Sequence, residues 1–209
     1  MSDRIAGIVL AGGLATRMGG GDKALLRIAP DRCLLDVVLA RLAPQCEVIA
    51  LNANGDPSRF GKYNLPVLAD TVTGYLGPLA GILAGMDWAA DQGYEAVLSV
   101  AADTPFFPAD LSDRLTQGNS PSGLVLAASA DESGKIWRQP TFGLWPVNLR
   151  EDLRKALVEK EIRKIVVWTE RHDAGQVVFD AAEIDPFFNV NTPEDLERAK
   201  SIYQSMENL

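Results

Sequence analysis

The run Ile5-Ala6-Gly7-Ile8-Val9-Leu10 is short, continuously apolar and stopped by Gly12-Gly13. A strand that reads this way has both faces covered, as strands do in a parallel sheet layered between helices. Later segments supply those helices. Apolar residues at 34, 35, 38 and 42 keep to one side of a helix that Pro44 ends. A second strand over residues 47–52 follows, then a polar loop, a short apolar piece at Val67-Leu68, and a loop ending at Gly77-Pro78. Pro is well tolerated at a first helical position, so a helix is expected from there to about Asp91, with Gly93 just past its end. Residues 96–101 form a third buried strand, stopped by Asp103-Thr104-Pro105.

The second half of the chain is less regular. Residues 124–129 read as a strand, and 138–145 as one that Pro140 keeps near an edge or a turn. Helices are expected over 148–159 and 163–169, a last strand over 176–179, and a closing helix from 193 to about 206 capped by Thr192. Strands alternating with helices specify an α/β fold with a largely parallel sheet and right-handed crossovers. Ligands then bind beyond the C-terminal ends of the strands. No repeat, low-complexity tract or linker interrupts the pattern, so one domain over 1–209 is expected, and 209 residues with 47% apolar content can build its core.

Charge and residue usage exclude several functions. A net charge of −8 without any dense Lys/Arg run argues against binding along a nucleic-acid backbone. Any nucleotide handled is a small molecule. The apolar hexamer is too short for a membrane span or a signal-peptide core, and a cytoplasmic location follows as an expectation. Cys33 and Cys46 lack a CxxC pattern and read as core thiols. The single histidine, His172, sits in a polar stretch that reads as a solvated turn. Without a Gly-x-Ser-x-Gly elbow, Ser-His-Asp hydrolysis loses its support.

The strongest chemical signal is the stretch Leu10-Ala11-Gly12-Gly13-Leu14-Ala15-Thr16-Arg17-Met18-Gly19-Gly20-Gly21-Asp22-Lys23, directly after the first strand. Glycines let the backbone approach a ligand, and exposed N–H groups line up on phosphate oxygens. Arg17 and Lys23 add two cations at the same mouth. It is not a Walker A loop, because Asp22 precedes Lys23 and Ala24 follows it. Gly19-x-Gly21-x-x-Ala24 matches a dinucleotide fingerprint by letters, but it begins well past the strand's end. Asp103, at the end of the third strand, places a carboxylate in the same crevice. Mg²⁺ takes one or two protein carboxylates and completes its shell with water and phosphate, so one Asp suffices as the metal ligand.

Residue for residue, the glycine-rich stretch resembles the Leu-Ala-Gly-Gly-x3-Arg-Met-Gly-Gly-x-Asp-Lys signature of the molybdenum cofactor guanylyltransferases, within the larger NTP-transferase group. Three further pieces resemble that family in the same order: Gly77-Pro78-Leu79-Ala80-Gly81, Asp103-Thr104-Pro105 and Asn189-Val190-Asn191-Thr192-Pro193. The resemblance implies a Rossmann-like three-layer α/β/α domain, nucleotide-diphospho-sugar-transferase-like, using GTP, molybdopterin and Mg²⁺. It implies transfer of GMP to the terminal phosphate of molybdopterin by a monomer that makes transient contact with cofactor-insertion or molybdoenzyme proteins. Lys23, Arg17 and Asp103 would be catalytic. Leu10, Ala11, Gly12, Gly13, Gly20, Asp22, Asn52, Asp70, Gly77 and Gly81 would hold the nucleotide, and Asn189 and Asn191 would contact the second substrate or the metal's shell. Members of the family often carry His-Pro-Thr where this chain has Gln139-Pro140-Thr141, so Gln139 supplies hydrogen bonding there and no charge. Sugar-phosphate and cytidylyl transferases share the opening motif. Use of CTP with a molybdenum pterin, of an NTP with a sugar phosphate, or binding without turnover stay open at this point.

Overall fold

A computed structural model describes residues 4–12, 20–72, 77–131, 133–180 and 184–207. The elements in chain order are β1 (Ile5–Leu10), β2 (Arg27–Ala29), β3 (Arg32–Cys33), α1 (Leu34–Leu42), β4 (Val48–Asn52), β5 (Val67–Leu68), α2 (Pro78–Asp91), β6 (Ala96–Ala101), α3 (Leu111–Thr116), β7 (Val125–Ala130), β8 (Ile136–Pro146), α4 (Arg150–Val158), α5 (Ile165–Glu170), β9 (Gly175–Phe179) and α6 (Pro193–Glu207). Seven strands form one sheet in the order β5-β4-β1-β6-β8-β7-β9, and β2 and β3 form a small hairpin. All neighbours pair in parallel except β8, which runs against both β6 and β7.

The period of two along each strand divides the core between the sheet's faces. Val9, Leu51, Leu98 and Val100 point to one face, where Leu35, Val38 and Leu42 of α1 and Leu111 and Leu115 of α3 cover them. Ile8, Ala50 and Val97 point to the other, under Leu79, Ile82, Leu83 and Met86 of α2, Leu153 and Leu157 of α4, and Ile165 and Trp168 of α5. Three layers result, helices over sheet over helices, as anticipated. Gly85 lets α2 lie close on β1, where a Cβ would stand 3.0 Å from Ile8. The closing helix α6 packs Ala199 beside Ile28, Leu34 and Val190.

Local chemistry sets the helix starts. Asp36 accepts from the Cys33 amide at 2.7 Å and completes a capping box for α1. Burial pushes its carboxyl up, but bonds from the Cys33 amide and thiol, Lys62 and Tyr63 outweigh that and hold its pKa at about 2. Thr192 and Asp195 cap α6 reciprocally: the Asp195 amide donates to Thr192 Oγ1 at 3.1 Å, and the Thr192 amide donates to Asp195 Oδ2 at 2.9 Å.

One expectation is refined and one needs correction. β8 lies between β6 and β7, but its pairing with β6 stops at Gly143, so Pro140 stands where the strand is paired on one side only, as expected. The ladder to β7 also breaks there, with Leu126 opposite Gly143 and the next residue, Ala127, opposite Gln139. A residue without an N–H is tolerated at such a bulge. His172 is in a turn, but its ring is not freely solvated: Nε2 lies 2.8 Å from Asp152 Oδ1 and the ring packs 4.4 Å from Trp168. The thiols behave as read. Cys33 is buried, and burial pushes the half-buried Cys46 up to about 12.

Candidate active site

Because β1, β4, β5 and β6 run the same way, their C-terminal ends bring Leu10, Asn52, Leu68 and Ala101 to one edge. The turns that leave this edge carry the chemistry. β1 continues into the glycine-rich stretch, tied down by the Ala11 amide donating to Asn52 O at 2.9 Å. Among the described residues, a Cβ on Gly12 would meet nothing within 4 Å. Gly20 and Gly21 take φ of +91° and +83°, values that side chains rarely allow. Gly13 and Arg17 lie outside the described residues.

The stretch ends by delivering Lys23 across the crevice. Its Nζ donates to Asp103 Oδ2 at 2.8 Å and to Asn191 Oδ1 at 2.6 Å. Three positions distant in sequence meet at one ammonium group, with only 12% of the Lys23 side chain and 22% of Asp103 exposed. Asp103 is fixed from behind, since its carbonyl accepts from the Val190 amide at 2.8 Å. That bond ties the Asn189-Val190-Asn191 segment to the end of β6, leaving Asn189 exposed. Asp195 receives the Asn191 amide, which with Thr192 and the nearby charge of Lys23 lowers its pKa against the opposing effect of burial.

A second cluster forms on the β4–β5 side. Asn52 Nδ2 donates to Leu68 O at 3.1 Å and to Asp70 Oδ1 at 3.0 Å. Gly81 of α2 is pressed against this group, and a Cβ there would overlap Asn52 Oδ1 and stand 3.0 Å from Leu10 Cδ2. Gly77, with φ of +68°, caps α2 just before Pro78. The structure thus brings together two sets of expected residues, Lys23 with Asp103 and Asn191, and Leu10 with Asn52, Asp70 and Gly81. Asp22 turns elsewhere.

Sequence reading missed what holds these sets in register. Asn54 clamps Asp70 from both sides, Nδ2 donating to Asp70 Oδ2 at 2.8 Å and Oδ1 accepting from the Asp70 amide at 2.9 Å. Arg59 Nε sits 2.9 Å from Asp22 Oδ2, with side chains 24% and 15% exposed. The Nε–H is not aligned on a hydrogen-bond acceptor among the described residues, so the contact is an ion pair set by distance. Its two terminal nitrogens donate to Asn54 O and Asp56 O, each at 2.6 Å. Arg59 therefore fastens the glycine-rich stretch to the Asn54–Asp70 clamp. Arg59→Ala is expected to weaken binding of whatever ligand the glycine-rich stretch holds roughly tenfold, about the cost of a hydrogen-bonded charge. Equal affinity of the two proteins for that ligand would remove the role.

These features define a nucleotidyltransferase-type α/β crevice, with a glycine-rich stretch and a carboxylate meeting at the sheet edge. The chain belongs to the family described as the MobA-like NTP transferase domain, whose model matches residues 7–174. It is 50% identical over 208 residues to the molybdenum cofactor guanylyltransferase of Mesorhizobium japonicum, covering 97% of both chains. The protein of that name from Bradyrhizobium sp. is 51% identical over 202 residues, 95% of this chain and 92% of the relative. Among solved structures, the molybdopterin-guanine dinucleotide biosynthesis protein A of Archaeoglobus fulgidus superposes with a TM-score of 0.72 at 24% identity, over 96% of this chain and 100% of that one. A 4-diphosphocytidyl-2C-methyl-D-erythritol synthase from Anaerococcus prevotii does so at 0.66 and 18% identity, over 97% and 96%. At these identities the likeness is one of fold.

Proposed function

We propose that the chain transfers GMP from GTP to the terminal phosphate of molybdopterin and releases pyrophosphate, with Mg²⁺ held at Asp103. The observation that carries the reading is the Lys23 ammonium lodged between Asp103 Oδ2 and Asn191 Oδ1. Asp103 Oδ2 and Asn191 Oδ1 converge on one small volume, and with Lys23 turned to the phosphates these two hard oxygens would suit Mg²⁺, which needs few protein ligands. No cluster of three or more His, Cys, Asp or Glu side chains occurs among the described residues, so phosphate and water would complete the shell. When bound, Mg²⁺ supplies charge neutralisation at phosphate oxygens.

The chain's own groups do the rest. A phosphate monoester is mostly dianionic near neutral pH, its second pKa being about 6, and attacks the α-phosphorus without a general base. One phosphorus–oxygen bond forms to the acceptor as the bond to the β-phosphate breaks. Lys23 offsets charge on the departing pyrophosphate, and amides of the glycine-rich stretch align the triphosphate. Asn52 and Asp70 offer acceptors suited to the N–H groups of guanine. A crevice without a histidine is adequate for chemistry that moves no proton from the nucleophile.

Pyrophosphate release measured with GTP, CTP and ATP, each with molybdopterin and with or without Mg²⁺, tests the reading. GTP should be selected and Mg²⁺ required. Equal rates with CTP, or full activity after chelation, would overturn it, and GTP binding without turnover of any acceptor would favour a regulator.

A further inference from the structure

We infer that Trp137, on the arm formed by β7 and β8, is the stacking surface for the pterin ring system of the acceptor. The inference rests on the functional reading above for the identity of that acceptor.

The arm is a consequence of register. β8 pairs with β6 only as far as Ser99 opposite Gly143, whereas β7 and β8 stay paired as far as Ala130 opposite Ile136. Leu126 and Ser99 both pair with Gly143, and the same number of residues separates them from Ala130 and Asp103. β7 and β6 point the same way, so the arm projects from the edge that carries Asp103 and its tip stands about level with it. Neighbouring strands lie roughly 4.8 Å apart, which puts the arm about 5–10 Å to the side of β6.

Facing follows from alternation. Trp137 pairs with Ser129 and Gln139 with Ala127, so both share the face of Ala127, where Phe142, Phe179 and Phe187 pack. Arg138 points the opposite way and meets Glu170 at 2.7 Å. Phe187 stacks edge-on against Phe142 at 5.1 Å and Phe179 at 5.6 Å, and the chain runs from it directly to Asn189 and Asn191. The arm and the asparagine segment therefore wall the same side of the crevice, with the Lys23–Asp103–Asn191 contact between them. An acceptor whose phosphate reaches Asp103 extends its rings toward the arm.

Trp137 is 49% exposed, as is its neighbour Ile136 at 50%. A half-exposed indole offers a planar apolar face to a flat ligand, and this one is already held in orientation. Its Nε1 donates to Asp131 Oδ2 at 2.9 Å, and Lys135 Nζ lies 3.8 Å from the ring centroid on one face. Asp131 also accepts from the amides of Ser133 and Lys135, which fixes the turn that presents the ring. On this inference the ring's other face receives a flat heterocycle. Among the described residues, the other exposed large apolar side chains, Val158 and Val167, belong to α4 and α5 and not to this edge.

Steady-state kinetics of Trp137→Ala and Trp137→Phe test the assignment. The alanine variant should raise the KM for molybdopterin about tenfold, in line with the loss of one base-on-aromatic contact, with kcat and the KM for GTP within about twofold. Phenylalanine should restore most of the loss. A separate measurement needs no turnover: Trp145 and Trp168 are fully buried and Trp88 of α2 is half-buried, so the difference in acrylamide quenching between the wild type and Trp137→Phe reports Trp137. Molybdopterin should protect that emission in the wild-type protein and not in Trp137→Phe. An unchanged molybdopterin KM in the alanine variant, or no protection in the wild type, would overturn the platform. Absence of pyrophosphate release from the wild type with GTP and molybdopterin would count against the reaction instead.

Discussion

Lys23→Ala should lower kcat about 10²–10³-fold, the usual cost of removing one preorganised charge-stabilising group. Lys23 is the one described side chain seen to join the glycine-rich stretch, the end of β6 and the segment before α6, through its bonds to Asp103 and Asn191. Its removal takes away the charge proposed to offset the leaving pyrophosphate and also the tie that aligns these three pieces. Asp103→Ala should lose a similar factor. Since the two act through a shared contact, the double variant should lose much less than the product of the single losses. The check is steady-state pyrophosphate release by variants whose circular dichroism matches the parent. A Lys23→Ala protein with near wild-type turnover would contradict the assigned role.

Gly81→Ala should be the most damaging single methyl group in the nucleotide half. The new Cβ overlaps Asn52 Oδ1 and crowds Leu10. Asn52 is buried and bonded to Leu68 O and Asp70, so either its amide swings away from both partners or α2 lifts off the sheet. Overpacking of this kind costs about 1–3 kcal/mol, a drop in Tm of several degrees for a chain of this size. The KM for GTP should rise at least tenfold, because Asp70 loses one of its supports. Gly61→Ala is the matched control: a Cβ there meets nothing within 4 Å. If calorimetry and GTP kinetics gave the two variants equal behaviour, close packing of α2 on Asn52 would not be what shapes the site.

Much of this was legible in the sequence because it is encoded locally. Buried parallel strands announce themselves as apolar runs, and β1 and β6 fall where such runs stand. Gly77-Pro78 and Thr192-Pro193 mark helix starts by their own backbone chemistry, and α2 and α6 begin there. Lys23, Asp103 and Asn191 stood out as motifs, although nothing in their spacing showed that one ammonium would join them. What was not legible depends on tertiary partners. The six residues of α3 are too few for a periodic signal, and the β2–β3 hairpin is defined by pairing alone. Pro140 did mark a stretch of β8 unpaired with β6, but the bulge opposite β7 depends on pairing and was not visible. Arg59 and Asn54 looked like ordinary loop polarity, since their meaning lies in Asp22 and Asp70, brought close only by folding.

The reversed direction of β8 has a further implication. The residues proposed for the nucleotide all precede or include Asp103, while the hairpin from β7 to β8 joins the edge afterwards and turns back on itself at Asp131 and Gly134. Such a hairpin can be lengthened, shortened or exchanged without rethreading any parallel crossover. Grafting a different tip between Ala130 and Gln139 is therefore the natural engineering route to a new acceptor for an unchanged nucleotide donor.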